Sequence, residues 1–360
     1  IYHDGQFDDS RMAITLALSA NSNKTALINY CNVDGLIKND NEIIGLNFTD
    51  SINSKKYQIN SKVVINATGV FAEEIIRMDQ PKIEKMIQPS QGVHIVLERK
   101  FLKSKHAILI PQTSDGRVLF AVPWKDYVVV GTTDTHVKDA SEEPVPLKEE
   151  IDFILKNASK YMTIKPKKED ITSVFAGLRP LAATSNKQST KEVSRSHKID
   201  ISPSGLISVL GGKWTTYRKI AEDAINTAIS IKKLKKKKCK TERKKLYGFK
   251  KNVDWSDPMH VYGSMQKKVK SLGTKSDNKS LSNKFYISNN IIEWSIIHEM
   301  ALTVEDVLAR RTRCVFLDSK ESKRIAPIVA KKMADVLGKD DKWIDAELKK
   351  FNKLIKNYIV

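Results

Sequence analysis

The chain has 360 residues, 41% of them hydrophobic, enough for two or three packed domains and too apolar for a disordered polymer. Its formal net charge is +20, from 62 Lys plus Arg against 42 Asp plus Glu, a field that attracts anions: nucleic acid, acidic lipid or a charged small substrate. The three cysteines, Cys31, Cys239 and Cys314, are too few and too widely spaced for a disulfide framework or a zinc motif, and no apolar run approaches the roughly 18 residues of a membrane-spanning helix.

The sequence opens on Ile1, not Met, within a stretch over 2–7 that reads as a strand, so a fragment or processed product without its targeting segment is expected. Asp8 or Asp9 can cap a helix that carries Met12, Leu16, Ala17 and Ala20 on adjacent turns. Arg11 lies in its first turn, where a cation opposes the helix dipole; it is a surface arginine or it reaches an anion. Stretches 26–30, 43–48 and 57–59 read as a strand meander with polar turns. A short buried strand over 62–65 runs into Asn66-Ala-Thr-Gly69, small residues of the kind found where a backbone closes over a dinucleotide. A helix is expected over 71–78.

In the strand over 92–97, Val93, Ile95 and Leu97 share one face and His94 and Val96 the other. A lone strand histidine is usually structural. Further strands over 107–110, 118–122 and 127–130, joined by Asp115-Gly116 and Lys125-Asp126 turns, complete an antiparallel sheet. Asp134, after Gly131-Thr-Thr, caps a turn or orients a neighbour. Ile151, Ile154, Leu155, Ala158 and Met162 form a helical stripe suited to core packing. The strand over 171–176 is expected to end at Gly177-Leu-Arg-Pro180, where a stiff turn would fix the Arg179 fork. Arg195 and Lys198 flank a strand ending at Ile201.

The apolar run Leu206-Ile-Ser-Val-Leu210 meets Gly211-Gly-Lys-Trp-Thr-Thr216 and then a helix through Ile220, Ala224 and Ala228, capped by Thr215 or Thr216. Strand, glycine turn and helix N-terminus make an αβ corner that can hold an anion. Lys232-Lys233, Lys235 to Lys238, Lys240 and Arg243 to Lys245 form a basic run, read as a solvated linker with a peripheral membrane contact as the alternative. No aromatic residue interleaves it, which argues against base stacking. Helical stretches over 291–300, 304–313, 323–337 and 343–358 make a small all-α domain. There is no Gly-x-Gly-x-x-Gly fingerprint, no EF-hand loop and no Cys/His metal cluster.

The Gly211 block, with Tyr2-His-Asp-Gly-Gln6, Asp8-Asp-Ser-Arg11, Ile65-Asn-Ala-Thr-Gly69, Gln88-Pro-Ser-Gln-Gly-Val-His94, Thr113-Ser-Asp-Gly-Arg117, Pro123-Trp124, Gly131-Thr-Thr-Asp134, Gly177-Leu-Arg-Pro-Leu181, Ser194-Arg195 and Arg310-Arg-Thr-Arg313, resembles the FAD-dependent glycerol-3-phosphate dehydrogenases. Trp214 and the Arg310 block are most similar to the mitochondrial, quinone-reducing branch. The resemblance implies an α/β (α+β) fold: part of a glutathione-reductase-like FAD-binding domain, an interleaved antiparallel-sheet substrate domain and a C-terminal all-α domain. The expected division is 1–20 substrate-domain strand and helix, 21–87 part of the FAD-binding domain, 88–204 substrate sheet, 205–231 FAD-binding strand and helix, 232–251 basic linker and 252–360 helical domain. The adenine-side half of the flavin site should lie outside the chain.

For the site, the resemblance implies His94, Arg179 and Lys213 as catalytic residues, with Arg11 and Arg195 on the substrate phosphate. Ala67, Thr68, Gly69, Gly211, Gly212, Lys213, Trp214 and Thr215 would contact FAD. His94 takes or relays a hydroxyl proton, Arg179 stabilises an alkoxide, and Lys213 with the helix N-terminus stabilises charge on flavin or substrate. Implied partners are sn-glycerol 3-phosphate, ubiquinone and the mitochondrial inner membrane, peripherally, with no nucleic acid and no metal. The alternatives are a glycerol-3-phosphate oxidase, an inactive fragment, or a basic protein that binds nucleic acid or lipid.

Overall fold

The computed structural model describes residues 3–113, 116–182 and 196–360. In chain order the main elements are α1 (Asp9–Asn21), β1 (Cys31–Asn39), β2 (Glu42–Asp50), β3 (Lys56–Asn60), β4 (Ile65–Asn66), α2 (Ala72–Asp79), β5 (Ile87–Glu98), β6 (Ile108–Ile110), β7 (Leu119–Trp124), β8 (Tyr127–Gly131) and β9 (Thr135–His136). They are followed by α3 (Lys148–Ala158), β10 (Ile171–Ala182), β11 (His197–Ile201), β12 (Ile207–Gly211), α4 (Tyr217–Ile231), α5 (Gln266–Lys270), α6 (Asn289–Glu299), α7 (Cys314–Leu317), α8 (Ser319–Leu337) and α9 (Asp341–Leu354). The mixed α/β architecture with a C-terminal helical part is the one the sequence implied.

Three sheets organise these elements. β1, β2 and β3 form an antiparallel meander. The larger sheet has the order β10-β5-β8-β7-β6, with β9 also on β5. Its odd-numbered β5 residues Val93, Ile95 and Leu97 pack with Ile154 and Ala158 of α3, all buried. That burial follows from period-two alternation and supplies about 1.5–3 kcal/mol per large side chain. The third sheet, β11-β12-β4, pairs β12 in parallel with β4 and antiparallel with β11.

The C-terminal helices enclose their own apolar core, in which Val307, Val315, Val329, Met333 and Phe351 are buried. Val96 and the partly buried Phe175 join that core from the opposite face of β5 and β10. One sheet thus separates two cores, and the even face of β5 looks toward the helical part. The first helix is tied to the helical part: Arg11 of α1 and Glu299 of α6 form a buried ion pair.

Several local expectations change. Residues 3–8 have no regular structure; Gln6 is attached by its side chain, donating to the Pro123 carbonyl at 3.0 Å. The stretch 26–30 is not a strand either. Tyr30 adopts a positive φ of 56° while its hydroxyl donates to Asp306 at 2.7 Å, so β1 begins one residue later. β10 does not turn at Gly177; it continues to Ala182, in register with β5, with Pro180 opposite Pro89. β10 is an edge strand of its sheet, the place where a proline without an N–H is tolerated. No Thr side chain caps α4: Thr216 stands at the N-cap without a side-chain bond, because its Oγ1 donates back to the Lys213 carbonyl at 2.9 Å. Within the stretch over 304–313, residues Asp306–Arg311 form a π-helix.

Candidate active site

Antiparallel pairing puts His94 opposite both Phe175 of β10 and Gly131 of β8, and Arg179 opposite Ser90. Residues 90, 92 and 94 of β5 therefore share a face with 175, 177 and 179 of β10. His94 and Arg179 stand on one wall.

Two glycines seat these side chains. A Cβ at Gly131 would lie 2.8 Å from His94 Cγ and 2.9 Å from Nε2. A Cβ at Gly92 would lie 2.8 Å from Arg179 Cζ and 2.6 Å from Thr132 Oγ1. Both are impossible separations, so each glycine marks where a functional side chain crosses a strand at contact distance. Arg179 Nη2 donates to Thr132 Oγ1 at 3.0 Å and to the Thr133 carbonyl at 3.2 Å. Its Nη1 lies 3.6 Å from Asp134 Oδ1, and Asp134 accepts a hydrogen bond from Ser90. Asp134 is thus an orienting carboxylate for the Arg179 fork. The Gly131-Thr-Thr-Asp134 block positions both side chains.

The His94 ring stacks on Phe175, centroids 5.1 Å apart at 15°. Its Nδ1 is buried and has no hydrogen-bond partner among the described residues. Burial, then the Arg179 cation, push its pKa down to about 4, against a smaller opposing effect of Asp9 at the start of α1. The imidazole is therefore neutral at pH 7, whichever nitrogen carries the proton.

The two loops singled out for the cofactor lead into this wall. β4 and β12 run parallel, and both carboxyl ends open into exposed residues: Ala67 and Thr68 after one, Lys213 to Thr216 after the other. Gly69 and the turn after it pack on β5, β10 and β12. Gly211 abuts Ala182 at the end of β10. Gly211 and Gly212 have φ of 67° and 90°, and a Cβ at 212 would lie 2.8 Å from Ile220 Cδ1. Only glycine satisfies that turn without strain. Asn66, buried, donates to the Ala72 carbonyl at 2.9 Å and accepts from Thr68 Oγ1 at 2.7 Å, which fixes the first loop. Trp214 packs against Tyr217 and Phe7, at 5.3 and 6.4 Å between centroids.

Not every expected residue joins. Both terminal nitrogens of Arg11 donate to Glu299, at 3.0 and 2.6 Å, and the guanidinium lies 5.3 Å from the Tyr262 ring centroid. Its fork faces the helical part, not His94 and Arg179. Arg195 lies outside the described residues, as do Ser194, Ser114 and Asp115. A cavity of about 460 Å³ opens at the other end of β5 and β10, between Glu98, Lys100, Thr172, Lys284 and Asp318. Lys100 and Lys284 pair with Glu98, and the cavity belongs to a different region. Among the described residues no group of three or more His, Cys, Asp or Glu could hold a metal ion.

A profile described as FAD dependent oxidoreductase matches residues 1–218, well over half of the chain. The chain belongs to the FAD-dependent oxidoreductases. A second profile, the C-terminal domain of alpha-glycerophosphate oxidase, matches residues 207–344. The mitochondrial glycerol-3-phosphate dehydrogenase of Bos taurus is 33% identical over 387 residues, covering 99% of this chain and 53% of the relative. A probable mitochondrial glycerol-3-phosphate dehydrogenase of Dictyostelium discoideum is 34% identical, covering 100% of this chain and 61% of the relative. The chain spans between half and two thirds of the length of these relatives. A glycerol-3-phosphate dehydrogenase from Bacillus halodurans, solved with FAD, superposes with a TM-score of 0.84 at 23% identity, over 99% of this chain and 74% of that one. The fold is the same. The resemblance drawn from the sequence blocks is borne out, and the cofactor of this oxidoreductase family is FAD.

The two exposed loops fit such a cofactor. Ligands of parallel α/β sheets bind outside the strand carboxyl ends, and β4 and β12 end there together. The second loop also offers the start of a 15-residue helix, where N–H groups and dipole favour negative charge. Gly69 has φ of 61° and open space where a Cβ would stand. The donor set is backbone plus Lys213, suited to carbonyl and phosphate oxygens.

Proposed function

We propose that the protein carrying this chain oxidises sn-glycerol 3-phosphate to dihydroxyacetone phosphate. The observation that carries this is the shared wall: a neutral imidazole and an arginine fork on one sheet face, beside two exposed loops suited to a flavin. FAD supplies a hydride acceptor. The chain's own residues supply the rest. Arg179 faces the carbinol oxygen and stabilises negative charge as the hydroxyl proton leaves. That charge offsets the guanidinium and raises the proton affinity of His94, whose low basicity is partly Arg179's doing. The proton moves to His94 Nε2, since Nδ1 is sealed in the interior. Arg195 binds the phosphate; Arg11 could join it only if its pair with Glu299 opened. Lys213 and the start of α4 hold negative charge on the cofactor, with Ala67, Thr68, Gly69, Gly211, Gly212, Trp214 and Thr215 lining it.

The buried, unpartnered Nδ1 supports a second reading of His94. A neutral ring with its proton on Nδ1 would bury an unsatisfied donor at a cost of about 1–3 kcal/mol. The other tautomer would donate from Nε2 to the substrate oxygen, assisting Arg179 instead of accepting the proton. The 15N shifts of His94 separate the two.

Electrons then pass to ubiquinone at the mitochondrial inner membrane. The mitochondrial names of the relatives support the compartment. No helix among the described residues is long and apolar enough to cross a membrane. The attachment we propose is peripheral, through the exposed lysines around Lys235 to Lys238. Oxygen is the alternative acceptor, favoured by the oxidase name of the C-terminal profile. Peroxide formation measured against anaerobic quinone reduction decides between them. For the site itself, Arg179→Ala in the full-length, FAD-loaded protein should lower kcat on the order of 10²-fold or more. Wild-type turnover in that variant would refute the assignment.

A further inference from the structure

A histidine in an active site is ordinarily oriented by a hydrogen bond at its second ring nitrogen. Among the described residues His94 has no such bond at Nδ1. Its orientation must come from packing, and the packing leads away from the sheet into the C-terminal helices. Gly131 closes one side of the ring and Phe175 stacks on it. Phe175 meets Phe316 of α7 edge-on, 4.9 Å between centroids at 79°. Phe316 in turn meets Tyr358 edge-on at 5.5 Å. The Arg313 guanidinium covers Phe316 at 4.0 Å and lies 5.6 Å from the Trp124 ring.

Arg313 is itself held firmly. It has a positive φ of 64°, a conformation that costs a residue with a side chain of order 1–3 kcal/mol. Its Nη1 donates to Ser10 Oγ at 2.7 Å and its Nη2 lies 3.2 Å from Asp9 Oδ1. The same Asp9 acts on His94. One residue therefore clamps the start of α1 and caps the aromatic stack beneath the histidine.

We propose that Phe316 and Arg313 are positioning residues for His94, through which the C-terminal helical domain sets the ring plane by way of Phe175. The proposal rests on His94 belonging to the active site. The charged groups that face the ring are Arg179 from β10 and Asp9 from α1. Arg313 lies beyond two aromatic rings, Phe175 and Phe316, and the β8 neighbour is a glycine. Edge-to-face contact fixes ring orientation as well as area. A side chain at 316 that fills space without an aromatic edge would let Phe175 tilt and open the slot.

The test compares Phe316→Leu, Phe316→Tyr and Arg313→Lys in the full-length, FAD-loaded protein. The His94 resonance is assigned in 15N-histidine-labelled protein by its loss in His94→Asn. Phe316→Leu should keep its melting temperature within several degrees and its KM within about twofold, while kcat falls about tenfold. The His94 titration should move up toward the ordinary histidine value as water reaches the ring. Phe316→Tyr should restore both readouts, and Arg313→Lys should give a smaller change in the same direction. If Phe316→Leu changes neither kcat nor the His94 titration, the proposal is overturned. The two readouts separate the failures: full turnover in His94→Asn would refute the active-site reading on which the proposal rests, and an unmoved His94 titration in Phe316→Leu would refute the positioning itself.

Discussion

The His94–Arg179 wall and the Gly211–Thr216 turn meet at the end of β10 but are built in opposite ways. On the wall, chemistry resides in side chains whose places are fixed by what is missing beneath them: Gly131 under the imidazole, Gly92 under the guanidinium. In the turn, chemistry resides in the backbone, and glycine is needed for conformation, with φ of 67° and 90°. The same residue type thus serves as a seat in one region and as a hinge angle in the other. A methyl group should injure the two regions differently.

The largest effect should come at the wall. Gly131→Ala places a methyl against a ring already backed by Phe175, which cannot yield freely, so kcat should fall roughly 10- to 100-fold. Steady-state kinetics with flavin occupancy held equal checks this; an unchanged kcat would show that the ring can shift at no cost. Gly212→Ala comes next. It should lower stability by about 1–3 kcal/mol through its positive φ and weaken retention of FAD more than it alters kcat per bound flavin. Thermal unfolding and the flavin absorbance after gel filtration report the two quantities.

A third effect sharpens the wall alone. His94 takes up its second ring proton only below about pH 4 in the folded chain, against about 6.5 when unfolded. Between those values the unfolded state binds the extra proton. The stabilisation from a neutral His94 is therefore complete above pH 6.5 and is lost as pH falls toward 4, by roughly 3 kcal/mol. Melting curves of wild type and His94→Asn should diverge in that window and run parallel above it. The smallest effect belongs to Gly177→Ala. That glycine lies on the same strand as Arg179, with nothing within 4 Å of its would-be Cβ, so stability should stay within about 0.5 kcal/mol of wild type.

Much of this was legible in the sequence because it is periodic or punctuated. Alternation along residues 92–97 separated His94 from the core face, and the Gly211-Gly212 pair announced a positive-φ turn. The neighbours of His94 were hidden for a physical reason. Register between β5, β8 and β10 decides them, and register is a long-range property. Nothing local says that Gly131 faces residue 94 or that Phe175 stacks on it. An isolated glycine within a strand pattern was the available signal for Gly92. Arg179 was read onto a turn because Gly177 and Pro180 flank it, and only the edge position of β10 lets the strand pass through the proline. Arg11 was ambiguous for the same reason. Its carboxylate partner is 288 positions away, beyond any window.

That distant pairing has a practical meaning. Arg11 and Glu299 are both almost fully withdrawn from solvent, and Glu299 also accepts from Trp294 Nε1 at 2.8 Å. Deleting either partner would strand a charge in the interior, which costs about 3–5 kcal/mol. The first helix and the last third of the polypeptide should therefore melt together, whatever the solvated lysines between them suggest. A protease that nicks the 232–251 run should leave two pieces that stay associated, while separate expression of either piece should give an insoluble product.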